Sequence, residues 1–537
     1  MCGIICVVSR PSARPLPLAA DILDALDRAI AVGHAGNIAE CGRVVADADK
    51  SLRGESGLGT LIDNIALVAQ LNARLDSLDA LAVAAEAQLE SEAGLPTREV
   101  ERRSNELIAL RDATWSLRND RLRTAKAVGD LAGKDASASA RNAYLAIQQA
   151  FSALDRMEVR GRDSAGVHVL VWGHGLDASN KQVAPLLAGR LDDALFTNGS
   201  VRVGAGERAW SFVYKAAAEI GELGDNTRAM RAAVASDALL RLLISQPNAR
   251  VSILGHTRWA SVGIISEPNA HPVNSEEIGG NASAPYMLAA LNGDVDNHAD
   301  IKVRNGLHIA DPITTDAKVI PTVVARKNAA GMSLVDAFRE TVAEFEGSVA
   351  IAVASADQPH DIMLALRGSG QGLYVGIAED RFIVASEPYG VVEETLHYVR
   401  MDGEALADPQ NPSSRGQVIA LSGAQAGSLE GIQLLAYDGT NIALSEAQVS
   451  VAEVTTRDID RGEHKHFLSK EIAEAPHSFR KTLRGKIAER NGQLFASLDD
   501  SVLPIEIRAK LTAWRTMCMG CVSICFSMYW FVMNEHV

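Results

Sequence analysis

Cys2 stands directly behind the initiator methionine and is followed by Gly3 and the apolar run Ile4 to Val8. A residue as small as Cys lets that methionine be removed. The mature chain would then begin with a thiol and a free α-amino group on one residue. The amino group has a reference pKa of about 7.7–8.0, so it can take the thiol proton near neutral pH. An amide attacked by the thiolate passes through a tetrahedral oxyanion, which needs preorganised donors. Asn292 and Gly293 offer a side-chain amide and a backbone N–H at adjacent positions, and Gly lets the backbone approach closely. If the substrate is an amino acid, Arg258 can clamp its carboxylate bidentately and Asp316, in "TTDAK", can hold its ammonium. Each residue also has a bland reading. Asn-Gly before Asp is a turn signal, an isolated Arg-Trp is surface packing, and an isolated His271 is a core or loop histidine. The case rests on their joint occurrence.

Four polar stretches sit in apolar surroundings: "RGRDSAG" (160–166), "GHTRWAS" (255–261), "NAHP" (269–272) and "LNGDVDN" (291–297). Each borders a strand-like run, and loops at strand ends are common places for sites. The elements that must position them can be read from periodicity. Residues 1 to about 35 read as a strand, a proline-rich loop and the start of a helix. Leu61, Ile65, Val68, Leu71, Leu75, Leu78, Ala85 and Leu89 recur at helical spacing, "AGLPT" breaks the pattern, and Val100, Leu107, Leu110 and Leu117 continue it. This predicts an antiparallel helical hairpin with solvated Arg-, Asp- and Glu-rich outer faces, which a partner could also use for docking. From Asn142 a helix, a polar turn and a strand are expected, then loop and short strand near 175–207, and helix over 208–246. From Arg250 strands dominate, interrupted by a helix from about Ala317 to Phe345. No tandem repeat is visible.

The 537 residues predict two to four domains. With 47% hydrophobic and 22% charged residues the chain has the texture of a soluble globular protein, and its net charge of −15 argues against nucleic-acid binding. Six cysteines in so long a chain do not read as a disulfide framework, and the N-terminus lacks the basic and apolar segments of a signal peptide. The expectation is a cytoplasmic protein. "TMCMGCVSICFSMYWFVM" (516–533) is a discordant segment without charge, at the lower edge of membrane-spanning length.

"MCGII" together with "RGRDSAG", "GHTRWAS…SEPNAHP", "LNGDVDNH" and "TDAKVI" resembles the glutaminase domain of the glutamine–fructose-6-phosphate aminotransferase family, the glucosamine-6-phosphate synthases. "FEGSVAIAVAS", "LALRGSG", "FIVASEPYGVV" and the linker-like "DRGEHKHFLSKEIAEAPHSFRKTLRGKI" (460–487) follow in the family's order. The resemblance covers about 1–35, 142–174 and 250–490. It implies an α+β fold, the four-layer αββα sandwich of N-terminal nucleophile hydrolases, with the helical hairpin inserted. It implies Cys2 as nucleophile and base, Asn292 and Gly293 as oxyanion hole, and Arg258, Trp259, Ser261, His271 and Asp316 as glutamine-binding residues. No metal or other cofactor is implied. Departures from the family pattern are Ser261 for Thr, Val262 for His, Arg162 for Tyr and Lys318 for Glu. None removes the nucleophile or the oxyanion donors.

The resemblance divides the chain into a glutaminase domain over 1–450, with insertions at 36–141 and 175–207, a linker over 451–500, and an apolar tail over 501–537. In the family the linker leads into sugar-isomerase domains. Fructose-6-phosphate would therefore be reached only through a missing or separate isomerase domain. The tail admits three readings: a membrane anchor, a metal cluster of Cys518, Cys521 and Cys525, or a truncated end without a role, which its composition break favours. The expected activity is hydrolysis of L-glutamine to glutamate and ammonia for glucosamine-6-phosphate synthesis, without nucleic acid or membrane. The competing expectation is a catalytically silent subunit or scaffold that binds a partner through the helical hairpin.

Overall fold

The computed structural model describes residues 2–92, 95–204, 206, 208–217, 222–280, 284–484, 486–490, 492–496, 504–507 and 510. The 516–533 segment and Cys518, Cys521 and Cys525 lie outside them. Two compact units are present: Met1–Arg28 with Val44–Asp76 and Asp112–Asp460, and Ala29–Arg43 with Ser77–Arg111 and Arg461–Val537.

The first unit is built on two antiparallel sheets. Nine strands run across the larger in the order Val449–Val451, His397–Arg400, Tyr374–Ile377, Arg381–Ala385, Gly3–Ser9, Arg250–Arg258, Ser164–Trp172, Ala209–Ala217, Val201–Val203. Six run across the smaller: Ile432–Ala436, Gln417–Ser422, Asp361–Arg367, Val349–Ser355, Met287–Gly293, Val273–Asn274. Strand side chains alternate between faces, and this alternation produces the layers. Ile4, Cys6 and Val8 join Leu254, Leu288, Ala290, Ala350 and Ala352 in the core between the sheets. Met287, Ala289, Leu291, Val349 and Ile351 face the other way and pack on Ile320 and Val324 of the helix Val319–Ala329 and on Phe338 of the helix Leu334–Ala343. The helices Ala138–Met157 and Asp225–Ser236 cover the outer face of the nine-stranded sheet. The unit is an αββα sandwich, the α+β layer order that the resemblance implies.

Two long helices, Ile65–Ser91 and Thr97–Trp115, form the expected hairpin. Ion pairs between Arg118 and Asp76 at 2.9 Å, Arg111 and Glu86 at 2.5 Å, and Arg103 and Glu92 at 2.7 Å descend in register and show it to be antiparallel. In the second unit Arg484 reaches Glu90 at 2.6 Å, and the strands Ile487–Arg490 and Gln493–Ala496 pair after the helix Phe467–Leu483.

Three expectations need correction. Residues 209–217, "AWSFVYKAA", form a strand, not helix. Its aromatic and β-branched residues fit a pleated surface beside Ser164–Trp172, and this pairing overrides the alanines. The expected single helix over 317–345 is two, separated at Gly331, whose φ of +97° ends the first, and capped at Ser333 by the amide of Asp336. Finally, the charged faces of the helical insertion are not all solvated. Arg121 is 3% exposed and pairs with Asp49 at 3.1 Å and Glu394 at 2.9 Å, while Arg156 pairs with Glu393 at 2.5 Å. Asp120, buried in this cluster, is pushed up to about 7 by desolvation and by Glu393.

Removing one partner of a buried pair strands the others' charge. Arg121→Met is expected to lower unfolding stability by roughly 3–5 kcal/mol in urea titration. Lys215 gives the opposite case. Its Nζ is buried without a hydrogen-bond partner among the described residues, 5.0 Å from the Phe196 ring centroid. Burial, and then Lys318, bring its pKa down to about 7. The unfolded chain keeps the lysine protonated up to about 10.4, so this group destabilises the fold fully below pH 7 and progressively less as pH rises from 7 to 10. Lys215→Met is expected to raise stability at pH 7 by roughly 1–3 kcal/mol and to flatten its pH dependence over that window, read by urea titration at several pH values.

Candidate active site

The site gathers where Gly3–Ser9, Arg250–Arg258 and Met287–Gly293 end. Gly3 pairs with Thr257 and Ser164 with Arg258, so Cys2 leads into the sheet beside Arg258. The amide of Trp259 donates to Cys2 Sγ at 3.2 Å. Burial pushes the Cys2 thiol up. The Trp259 N–H and the Arg258 guanidinium pull it down, and Asp294 pushes it up again. Cys6, four positions further along the chain, lies wholly inside the core and is pushed far higher by burial alone.

Asn292 is 1% exposed and held on both sides. Its Nδ2 donates to Ser386 Oγ at 2.7 Å, and its Oδ1 faces His256 Nε2 at 3.1 Å. Burial lowers the His256 pKa to about 3, so the ring is neutral. Its Nε2–H is shared between Asn292 Oδ1 and the Leu291 carbonyl, 2.9 Å away. Ser386 Oγ also accepts from the amide of Ile4 at 2.8 Å, tying the carboxamide to the strand that begins at Cys2. Gly293 has φ +88°, and a Cβ there would lie 1.9 Å from the Ser348 carbonyl oxygen. Only glycine fits this turn.

The loop after Arg258 is organised by that residue's own guanidinium. It donates to the carbonyls of Val262 and, at 3.2 Å, Ile264, and burial lowers its pKa. From the "RGRDSAG" loop, Asp163 accepts from the amide of Ala260 at 2.8 Å. The Trp259 ring is 58% exposed, at the rim. Ser261 donates to Asp294 Oδ1 at 2.5 Å. Asp316 Oδ2 accepts from the amide of Val295 at 2.8 Å, and burial pushes this carboxyl above its ordinary range. His271 is buried behind these groups. Its Nε2 meets Thr315 Oγ1 at 3.0 Å and its Nδ1 accepts from the Leu291 amide at 3.4 Å. Burial and the neighbouring His256 hold its pKa well below the ordinary value, so it braces the Asp316 loop as a neutral ring.

Cys2, Arg258, Trp259, Ser261, Asn292, Gly293 and Asp316 are thus joined through short links, and His271 stands one layer deeper. Sequence reasoning assigned nothing to Asp163, His256, Asp294 or Ser386. The first three lie inside the polar stretches already singled out. The fourth lies in "FIVASEPYGVV", where a serine at the end of an apolar run was the only signal.

The frame is a two-sheet sandwich with a cysteine at the head of a central strand and an Asn-Gly turn at a strand end of the second sheet, tied to that central strand through Ser386. No family model matches the chain. The chain is a homologue, over about half its length, of aminotransferases. These relatives are named glutamine–fructose-6-phosphate aminotransferase (isomerizing). The protein of Geobacillus kaustophilus is 30% identical over 266 residues, 49% of this chain and 38% of the relative. That of Neisseria meningitidis serogroup A is 29% identical over 268 residues, 49% and 39%. The chain thus spans under two-fifths of the length of these relatives. Among solved structures, the glutamine phosphoribosylpyrophosphate amidotransferase of B. subtilis complexed with ADP and GMP is 16% identical with a TM-score of 0.32, over 54% of this chain and 47% of that one.

Gly293→Ala forces either a left-handed alanine or a clash with Ser348. It is expected to cost roughly 1–3 kcal/mol of stability in thermal or urea unfolding. Gly306→Ala, also at positive φ but with no atom within 4 Å of the added Cβ, is expected to cost less in the same measurement.

Proposed function

We propose that the chain is the glutamine-hydrolysing part of an aminotransferase of the glutamine–fructose-6-phosphate type. The observation that carries this reading is the Trp259 amide on Cys2 Sγ, together with an Asn292 carboxamide that Ser386 and His256 fix and that Ser386 ties to the strand beginning at Cys2. Cys2 attacks the side-chain carbonyl carbon of L-glutamine. The oxyanion is held by the second hydrogen of Asn292 Nδ2 and by the Gly293 amide. Ammonia leaves with the proton taken from the thiol, and the thioester is cleaved by water to glutamate. Because burial pushes the thiol up, the thiolate is scarce unless a base adjoins it. The α-amino group of Cys2 is that base once Met1 is removed. Arg258, Trp259 and Ser261 take the substrate's carboxylate end, Asp316 its ammonium, and His271 positions the Asp316 loop.

Residues 1–450 form the glutaminase unit, with 36–141 and 175–207 as insertions and 451–500 as a linker. The ammonia serves glucosamine-6-phosphate formation at a sugar-isomerase site outside the residues assigned here, and the working compartment is the cytoplasm. Among the described residues no helix is long and apolar enough to cross a membrane.

The test is glutamate release from L-glutamine by chain that mass spectrometry shows to start at Cys2. Release is expected to fall to the blank in Cys2→Ala and in preparations that keep Met1. Equal release with Met1 retained would refute the amino group as base. No release from folded, Met1-free protein would refute the enzyme reading in favour of a silent subunit.

A further inference from the structure

Ser261 and Asp294 face each other across the mouth of the site. The Ser261 hydroxyl donates to Asp294 Oδ1 at 2.5 Å, from an exposed position on the loop that Arg258 and Asp163 hold. Asp294 follows the Gly293 turn and precedes Val295, whose amide is fixed on Asp316. The backbone of Asp294 is also pinned. Gly347 has φ +109°, and a Cβ there would lie 2.3 Å from the Asp294 carbonyl oxygen, so the bend before the strand Val349–Ser355 closes over the turn without a side chain. The backbone that carries Asp294 is therefore fixed beside Ser261, and only the side chain has to turn for the carboxylate to leave the hydroxyl. The hydroxyl assigned above to the substrate's carboxylate end is thus engaged by a carboxylate of the chain itself. The Arg258 guanidinium is likewise engaged, by the carbonyls of Val262 and Ile264.

We propose that Asp294 is a positioning residue that stands in for the substrate carboxylate on Ser261 until L-glutamine binds and is displaced from it by the α-carboxylate of L-glutamine. This rests on the glutamine-hydrolase reading. A carboxylate accepting from a hydroxyl makes one charge-assisted hydrogen bond. The incoming carboxylate makes the same bond to the same donor, so the exchange gains little at Ser261 and brings two negative charges close together. Asp294 thereby keeps the 259–265 loop ordered without substrate and weakens substrate binding. Its negative charge also opposes ionisation of the Cys2 thiol. Emptying the subsite of its resident carboxylate should tighten binding of any ligand with a free α-carboxylate, and only where Ser261 is present to receive it.

Two readouts separate this from a structural role. One is the split between KM and kcat for L-glutamine. The other needs no turnover: the concentration of L-glutamate that half-protects Cys2 from alkylation by iodoacetamide at fixed pH. In Asp294→Ala both KM and the half-protecting concentration are expected to fall by about 3- to 10-fold, the size of one such hydrogen bond, and the fall in KM is expected to exceed any change in kcat. Asp294→Asn keeps an acceptor for Ser261 without the charge, and is expected to fall between wild type and Asp294→Ala. In a Ser261→Ala background Asp294→Ala is expected to lower both values clearly less than it does with Ser261 present. A rise in both values in Asp294→Ala would overturn the proposal, because Asp294 would then hold the substrate itself. An equal fall with and without Ser261 would overturn it too, because the effect would be bulk charge. If wild type is protected by L-glutamate but releases none from L-glutamine, these protection values still decide the proposal. If no form is protected and none releases glutamate, it falls together with the glutamine-hydrolase reading.

Discussion

The hydrogen bond from the Trp259 amide to the Cys2 sulfur sets the rest of the site, because it exists only in one strand register. Gly3 must face Thr257 and Ile4 must face His256 for Cys2 to lie beside the start of the 259–265 loop. A slip by one residue would turn Ile4, Cys6 and Val8 out of the inter-sheet core and send the Cys2 side chain to the opposite face. The apolar core is therefore what aims the nucleophile. The same alternation on Met287–Gly293 buries Leu288 and Ala290 against the first sheet and brings Asn292 to the end of that face.

Electrostatics in the site is a balance of opposed terms. Burial disfavours the Cys2 thiolate, the Trp259 backbone donor and the Arg258 guanidinium favour it, and Asp294 disfavours it. The polar groups behind it are held neutral: burial keeps His256 and His271 uncharged. Neutral imidazoles can fix Asn292 and Thr315 by hydrogen bonds without adding positive charge beside the nucleophile. His256, Ser386 and the Asn292 carboxamide form a linked set, so the geometry of the oxyanion donors depends on residues that do not touch substrate.

Much of this was legible in the sequence where local pattern and tertiary structure agree. The run Ile4 to Val8, the heptad-like leucines of the hairpin and the Asn-Gly dipeptide each carry their own signal. Residues 209–217 were misread because their strand state comes from pairing with Ser164–Trp172, which no local window shows. The ion cluster around Arg121 was invisible for the same reason: its partners Glu393 and Glu394 are distant in sequence, and charged residues on a helix read as solvated until their neighbours are known. In the candidate site, chemistry-bearing residue types stood out, whereas those that only orient them did not. Ser386 and His256 have no composition or spacing that separates them from ordinary core polar residues. Asp294 was in plain view beside Asn-Gly, but its bond to Ser261 depends on how two loops meet.

The account stands or falls on whether Cys2 attacks the side-chain carbonyl carbon of glutamine. The most direct measurement is peptide mapping by mass spectrometry after exposure to a glutamine analogue that carries a diazoketone in place of the carboxamide. A thiol held at the reacting carbon displaces dinitrogen and passes its proton to the analogue, leaving a stable thioether. The account predicts a single adduct, on Cys2 of chains that begin at Cys2, with Cys6 and Cys41 unmodified and with L-glutamine protecting. Folded, Met1-free protein that gains no adduct at Cys2, or gains it equally at Cys41, would contradict it.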